Sequence, residues 1–336
     1  MRRLLIVSNR LPVSVTKRAG ELRFQPSVGG LATGLSSFCD SHESQWIGWP
    51  GIASDNISTD QKRQLTRRLK KEHCRPVFMS SKDTQAFYRG FCNSTIWPLF
   101  HYFPLYTIYE NANWKTYEKI NRIFCDTVAK QAKADDVIWI QDYQLMLLPG
   151  LLRKRMPNAK IGFFLHIPFP SFEMFRLLPW RTEILEGILG SDLIGFHTYD
   201  YVRHFLSSTA RILGNEHSMG TLSVDDRVVR VDAFPMGIDY DKYATACEEP
   251  DVKKALGMVR KKLGDRKIVI SIDRLDYTKG IIHRLEAFDW FLSQNPQYKE
   301  KVTLILVAVP YGGHSGDGVS LCRLYRARRC CQREAA

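Results

Sequence analysis

The sequence predicts an α/β fold with a doubly wound parallel sheet, on three observations. Apolar runs of strand length alternate with segments of helical period. Several runs are apolar on both faces, as strands buried inside a parallel sheet are. Polar and charged residues gather just past the carboxyl ends of the runs, where open α/β sheets bind their ligands. The strand-like runs are Leu4–Ser8, Gln45–Trp49, Val137–Ile140, Ile161–Leu165, Leu193–Phe196, Val228–Phe234, Ile268–Ile272 and Val302–Val309. Between them the periodicity predicts helices near 60–72, 112–132, 143–155, 181–190, 199–212, 250–263 and 280–294. Lys17 to Gly20, between PVSV and ELRF, reads as a hairpin turn.

The 336 residues suit about two ordinary domains. A hydrophobic fraction of 44% with 25% charged residues excludes disordered, collagen-like and low-complexity classes. No run approaches the roughly 18 apolar residues of a membrane-spanning helix. The opening MRRLLIVSNRLPV carries only LLIV, shorter than the about 7–15 apolar residues of a secretory signal, and reads as a first strand. Eight cysteines, none in a CxxC pair, support neither a zinc nor a thioredoxin-like site; reduced thiols in the cytoplasm are the expectation. The net charge of +13 is dispersed over Lys62–Lys71, Arg153–Arg155 and Arg260–Lys262. Solvated helix faces account for such clusters best, attraction of anionic small molecules next. No RNA-binding, zinc-finger or zipper motif accompanies them, so nucleic acid is not an expected partner.

A domain boundary is expected near 238–250, before a new strand–helix–strand unit that starts at Ile268. After Pro310 the composition changes: five arginines, no lysine, three of the eight cysteines and four of the 22 glycines. This tail reads as a Gly-rich loop with a basic end, or as frameshifted or fused sequence; the abrupt change favours the second. A sheet of so few strands also leaves its edges uncovered, which makes aggregation an expectation.

Four segments carry chemistry. Ser8-Asn9-Arg10 ends the first strand, and Gly29-Gly30 opens a helix. Free N–H groups at a helix start suit an anion, though a double glycine also serves simple packing. The spacing is not G-x-G-x-x-G, which disfavours a nicotinamide dehydrogenase. Asp142, at the end of the strand Val137–Ile140, either hydrogen-bonds sugar hydroxyls or caps the following helix. His166 leaves a hydrophobic strand just before Pro168 and Pro170. It either donates to a bound hydroxyl or a developing charge, or is a satisfied core histidine. Arg274 and Lys279 flank a turn before Gly280. They converge on a diphosphate, or pair with Asp273 and Asp276 on a solvated loop. Trp49, Tyr88 and Trp97 lie in Gly/Pro-rich or polar surroundings, where exposed rings stack on sugar faces, although most aromatics are core.

Taken in order, VSNRLPV, SVGGLATGL, GWPG, NSTIWPLFHY, WIQDYQLMLLP, IGFFLHIPFPS, LIGFHTYDYVRHF and SIDRLDYTKGI resemble the trehalose-6-phosphate synthase family over about residues 4–310. The resemblance implies a GT-B glycosyltransferase fold of two Rossmann-like domains, the second incomplete here. It implies an acceptor domain over 1–240, the first part of a nucleotide-sugar domain over 241–310, and an atypical tail over 311–336. The implied reaction joins glucose from UDP-glucose to glucose 6-phosphate with retention. By resemblance Arg10, Tyr88, Trp97 and Asp142 hold glucose 6-phosphate, with Trp49 in the same cleft. Gly29 and Gly30 touch the donor, His166 lies beside the transferred glucose, and Arg274 and Lys279 grip the diphosphate. Asp142, His166, Arg274 and Lys279 are thus the expected catalytic set. The implied mechanism has no carboxylate nucleophile: the acceptor hydroxyl attacks on the face from which UDP leaves, and the leaving phosphate takes the proton. Neither a metal nor another cofactor is expected, nor a membrane partner; a homo-oligomer is compatible with the family.

Two departures stand out. Gln144 occupies a position where the family often has histidine. Beyond Pro310, Tyr311-Gly312 replaces a small residue and an arginine, and the family's D-G-M-N-L-V-A-K-E segment is missing. Impaired transfer by this chain is therefore expected. The alternatives are a non-catalytic relative that binds sugar phosphate, and a transferase of the same fold with another acceptor.

Overall fold

The computed structural model describes residues 3–27, 31, 34, 35 and 43–309. These fall into two compact units, one ending at Ile238 and the next starting at Asp239.

The first unit is built on a nine-stranded sheet. In chain order its strands are β1 (Leu4–Arg10), β4 (Ser44–Trp49), β5 (Cys74–Pro76), β6 (Val137–Gln141), β7 (Lys160–Phe164), β8 (Leu193–Phe196), β9 (His217–Ser218), β10 (Thr221–Val224) and β11 (Arg227–Ala233); β2 (Val13–Arg18) and β3 (Glu21–Pro26) form a separate hairpin. Across the sheet the order is β5-β4-β1-β6-β7-β8-β11-β10-β9. The seven strands from β5 to β11 pair in parallel, and β10 and β9 add antiparallel edges. The β2–β3 turn is Ala19-Gly20 with φ +48° and +83°, the doubly positive turn that matches strand twist.

Five longer helices accompany this sheet: α1 (Thr59–Lys71), α2 (Asn111–Gln131), α3 (Leu148–Arg155), α4 (Arg181–Ile188) and α5 (Tyr199–Leu213). Ser58 starts α1 with a reciprocal cap: its hydroxyl accepts the Gln61 N–H, and the Gln61 side chain accepts the Ser58 N–H. Asp60 in the first turn and Arg68, Lys70 and Lys71 in the last suit the helix dipole. Apolar side chains cover both sheet faces. The larger core joins Leu5, Val7, Ile47 and Ile140 to α2–α5, and the smaller joins Ile6, Trp46, Leu65 and Leu69.

Two departures from periodicity lie beside the carboxyl end of the sheet. The predicted helix 143–155 is instead a 3-10 turn, Tyr143–Leu145, followed by α3. Residues Gln85–Ile96, in no predicted helix, form π-helical turns. The Trp97 N–H reaches the Cys92 carbonyl five residues back, and the Ser94 hydroxyl donates to the Arg89 carbonyl at the same spacing. Pro98 brings no N–H of its own to the ladder. Widened turns of this kind occur often at functional sites.

The second unit has a two-stranded parallel sheet, β12 (Lys267–Arg274) with β13 (Val302–Val309), paired from Lys267↔Val302 to Arg274↔Val309. Two longer helices go with it, α6 (Pro250–Leu263) and α7 (Ile281–Gln294). Among the described residues no helix is long and apolar enough to cross a membrane. Residues 311–336 and Gly29 and Gly30 lie outside the described residues.

Candidate active site

Arg10, Asp142 and His166 come from neighbouring parallel strands and stand at one end of the sheet. At the end of β1, register with β4 slips by one residue between Val7 and Arg10, a bulge that brings Arg10 opposite Trp49. The Ser8 hydroxyl donates to the Arg10 carbonyl at 2.6 Å while accepting from Trp46 Nε1 at 2.6 Å, which fixes the turn. Gly48 is required here, because a Cβ on it would lie 2.7 Å from the Ser8 carbonyl oxygen. The exposed Arg10 guanidinium sits 4.8 Å from the Trp49 ring centroid.

Of the two readings the sequence left for Trp49, burial favours the core one: it is 6% exposed, and its Nε1 donates to the Ile52 carbonyl at 3.0 Å. The chain after Pro50 turns back across it, and its ring lies against the Arg10 guanidinium. Tyr88 and Trp97 are half-buried against the larger core. Trp97 lies 4.0 Å from the His101 ring and 5.9 Å from Tyr143. Tyr143, next to Asp142, donates its hydroxyl to Asn93 Oδ1 at 3.1 Å, tying the π-helical turns to the end of β6. The geometry thus joins Trp97 to the Asp142 segment, and Tyr88 packs against the same core.

Asp142 has φ +74° and ψ 171°, a region almost reserved for glycine. Such strain costs of order 1–3 kcal/mol and persists only where surrounding structure imposes it. Here the Asp142 N–H donates to the Phe164 carbonyl at 2.7 Å, and the carboxylate accepts the His166 N–H at 3.1 Å. The side chain makes no cap on the turn that follows, which removes the capping alternative. The strained backbone holds the carboxylate between the ends of β6 and β7.

The half-buried His166 ring approaches Phe164 at 4.6 Å and His197 at 5.5 Å between centroids. Its Nε2 lies 2.9 Å from Gln141 Oε1. Burial, helped by the neighbouring His197, pushes its pKa from 6.5 down to about 3, so the ring is neutral at pH 7. His197 is shifted down as well, mainly by burial. The sequence reading passed over His197, Gln141 and Asn93. His197 follows β8 as His166 follows β7, and that repetition was the available signal. Gln141 and Asn93 carried none.

Within the second unit, Arg274 ends β12 and is exposed, whereas Lys279 is half-buried. The loop's two acids, Asp273 and Asp276, bind partners on this segment and on α7. Asp273 binds Arg284 at 2.6 Å, and Arg284 also reaches the Lys279 carbonyl and the Ser271 hydroxyl. Asp276 instead caps the turn Tyr277–Lys279 through the Thr278 N–H and hydroxyl, both at 2.9 Å. The Lys279 ammonium makes no ion pair among the described residues. Among these residues, too, no group of three or more His, Cys, Asp or Glu side chains is placed to hold a metal ion.

Residues 2–319 match glycosyltransferase family 20. An α,α-trehalose-phosphate synthase (UDP-forming) of Aspergillus niger is 45% identical over 92% of this chain, and the chain spans 65% of that relative's length. A synthase structure of the same name from Burkholderia xenovorans, in complex with glucose-6-phosphate, superposes with a TM-score of 0.82 at 27% identity, covering 97% of this chain and 70% of that one. An E. coli structure bound with UDP-2-fluoro glucose gives a TM-score of 0.80 at 27% identity, over 97% of this chain and 68% of that chain. These likenesses carry the GT-B assignment, with a second domain represented in part. An ordered set of strand-end motifs, the parallel sheet that presents them and a family match over most of the sequence agree: the chain belongs to glycosyltransferase family 20.

Proposed function

We propose that the first unit binds glucose 6-phosphate and that the second holds part of the grip on UDP-glucose, for a retaining transfer that makes trehalose 6-phosphate. The observation that carries this reading is the strained Asp142 carboxylate at the carboxyl end of the parallel sheet, with Arg10 at the end of the adjacent strand. A carboxylate and a guanidinium are the groups that sugar hydroxyls and a phosphate require. Trp97 and Tyr88 would wall the acceptor, with Trp49 beneath Arg10. Arg274 and Lys279 would stabilise charge growing on the departing diphosphate, the electrostatic contribution that usually dominates such transfers. Gly29 and Gly30 would touch the donor. His166, neutral, would bind beside the transferred glucose without supplying a proton. We place the protein in the cytoplasm, with small molecules as partners and a homo-oligomer compatible with the fold.

Transfer by these 336 residues should be slow, because the second unit presents its cations on a sheet of only two described strands. The test is release of UDP from UDP-glucose with and without glucose 6-phosphate. Slow, acceptor-dependent release lost in Asp142→Asn supports the proposal. Release indifferent to glucose 6-phosphate would refute the acceptor assignment.

A further inference from the structure

We propose that Gln141 is a positioning residue that sets the tautomer of His166, making the imidazole a hydrogen-bond acceptor toward the ligand. Gln141 is the last residue of β6 and is wholly buried. Its Oε1 stands 2.9 Å from His166 Nε2. A neutral imidazole carries one N–H and one lone pair. A carbonyl oxygen only accepts, so the proton resides on Nε2 and the lone pair on Nδ1. The ring then has a single polar atom left to offer, and it accepts.

Three observations support the arrangement. Gln141 Nε2 has no hydrogen-bond partner among the described residues, so the side-chain hydrogen bond that the amide makes is the one to the His166 ring. The ring is half-buried between Phe164 and His197, which disfavours its cationic form. The backbone of the same histidine is pinned, its N–H given to Asp142 Oδ1 at 3.1 Å. Ring and backbone are therefore both held from β6, by consecutive residues. The titratable groups around the ring are His197 and the Asp142 carboxylate.

The chemical consequence is selective. An Nδ1 acceptor receives a hydrogen bond from a sugar hydroxyl, and it offers nothing to an oxyanion or a phosphate oxygen. His166 thus selects for a hydroxyl donor on the ligand and takes no part in neutralising the leaving group. This last step rests on the transferase reading; the tautomer does not.

The experiment is nitrogen-15 NMR of the full chain labelled at histidine, with the His166 signals assigned by their loss in His166→Gln. The expected spectrum between pH 6 and 8 shows a protonated Nε2 and an unprotonated Nδ1. A protonated Nδ1 would overturn the proposal. Gln141→Glu, nearly the same shape, places a carboxylate on Nε2 and should raise the His166 titration midpoint by roughly 1–3 units. An unmoved midpoint in a folded Gln141→Glu variant would show that residue 141 does not govern the ring. Saturating UDP-glucose should move the Nδ1 shift as its lone pair accepts. A correct tautomer with an Nδ1 indifferent to UDP-glucose would refute the ligand step alone.

Discussion

The two units are written in the same alphabet and buried to different degrees. β1 and β6 lie inside a nine-stranded sheet, and Ile6, Val7 and Ile140 are inaccessible. β12 is just as apolar, KIVISIDR, and ends just as β1 does, at a cation; yet Ile270 is 63% and Ile272 62% exposed. Neighbours account for the difference, since composition does not. Strands β4 and β6 flank β1 and helices cover its faces, whereas β12 pairs among the described residues only with β13. α6 has no buried residue among those described and α7 only Ile281. An apolar strand is thus a statement about the sheet it needs. A strand-end cation also works only as well as its strand is held.

The largest expected contrast is in stability. Phe91 is fully buried, its ring 4.4 Å from Tyr117, 5.2 Å from Trp114 and 5.5 Å from Trp180. Phe91→Ala should destabilise the first unit by about 3–5 kcal/mol. Ile270→Ser, at an exposed site, should stay within about 0.5 kcal/mol. Denaturant unfolding of both variants measures this, and comparable losses would remove the distinction between the units.

A pH dependence comes next. His166 has its pKa lowered in the folded state, so the unfolded chain binds the extra proton first as pH falls. The stabilising effect of the neutral ring is complete above the ordinary value of 6.5. It is lost progressively as the pH drops from there toward about 3. The slope from this one group is at most about 1.4 kcal/mol per pH unit. The lowered pKa of His197 adds with the same sign. Denaturation curves across this window should flatten in His166→Gln; an unchanged slope would show that the ring is not held neutral by the fold.

Ligand binding sharpens the division of labour. Arg10→Ala should weaken glucose 6-phosphate by about 1.5–3 kcal/mol, the range of a hydrogen bond to a charged group, and leave UDP-glucose unaffected. Lys279→Ala should do the reverse. Equal losses of both ligands in either variant, read by calorimetry, would end the assignment of acceptor to one unit and donor to the other.

The smallest effect expected is on the stability of Asp142→Gly. Relief of backbone strain, about 1–3 kcal/mol, opposes loss of the carboxylate hydrogen bond to His166, about 1.5–3 kcal/mol. The melting temperature should hardly move while glucose 6-phosphate binding disappears. A large drop would mean the strain is absent and the carboxylate is structural.

Much of this was legible in residues. The buried parallel strands announced themselves by apolar runs, and the Ala19-Gly20 turn by its flanking strands. Asp142, His166, Arg10 and Arg274 stood out as candidates because a polar or charged group at the end of an apolar run is conspicuous. What stayed hidden depends on long-range fit. β5 is three residues long, and β9 only two, too short for any period to show. The π-helical turns over Gln85–Ile96 break the 3.6-residue rhythm that would have revealed a helix. Sequence left Trp49 open between an exposed ring and a core one, because its cover is assembled from Arg10 on another strand and from the chain beyond Pro50. Gln141 became meaningful only when β7 delivered His166 to it.

The most direct test of the account is a calorimetric titration of the chain with glucose 6-phosphate, repeated with Asp142→Asn and Arg10→Ala. The account predicts saturable binding by the parent, weakened in Arg10→Ala and lost in Asp142→Asn, with circular dichroism unchanged. Undiminished binding in both folded variants would contradict the placing of the acceptor at the ends of β1 and β6.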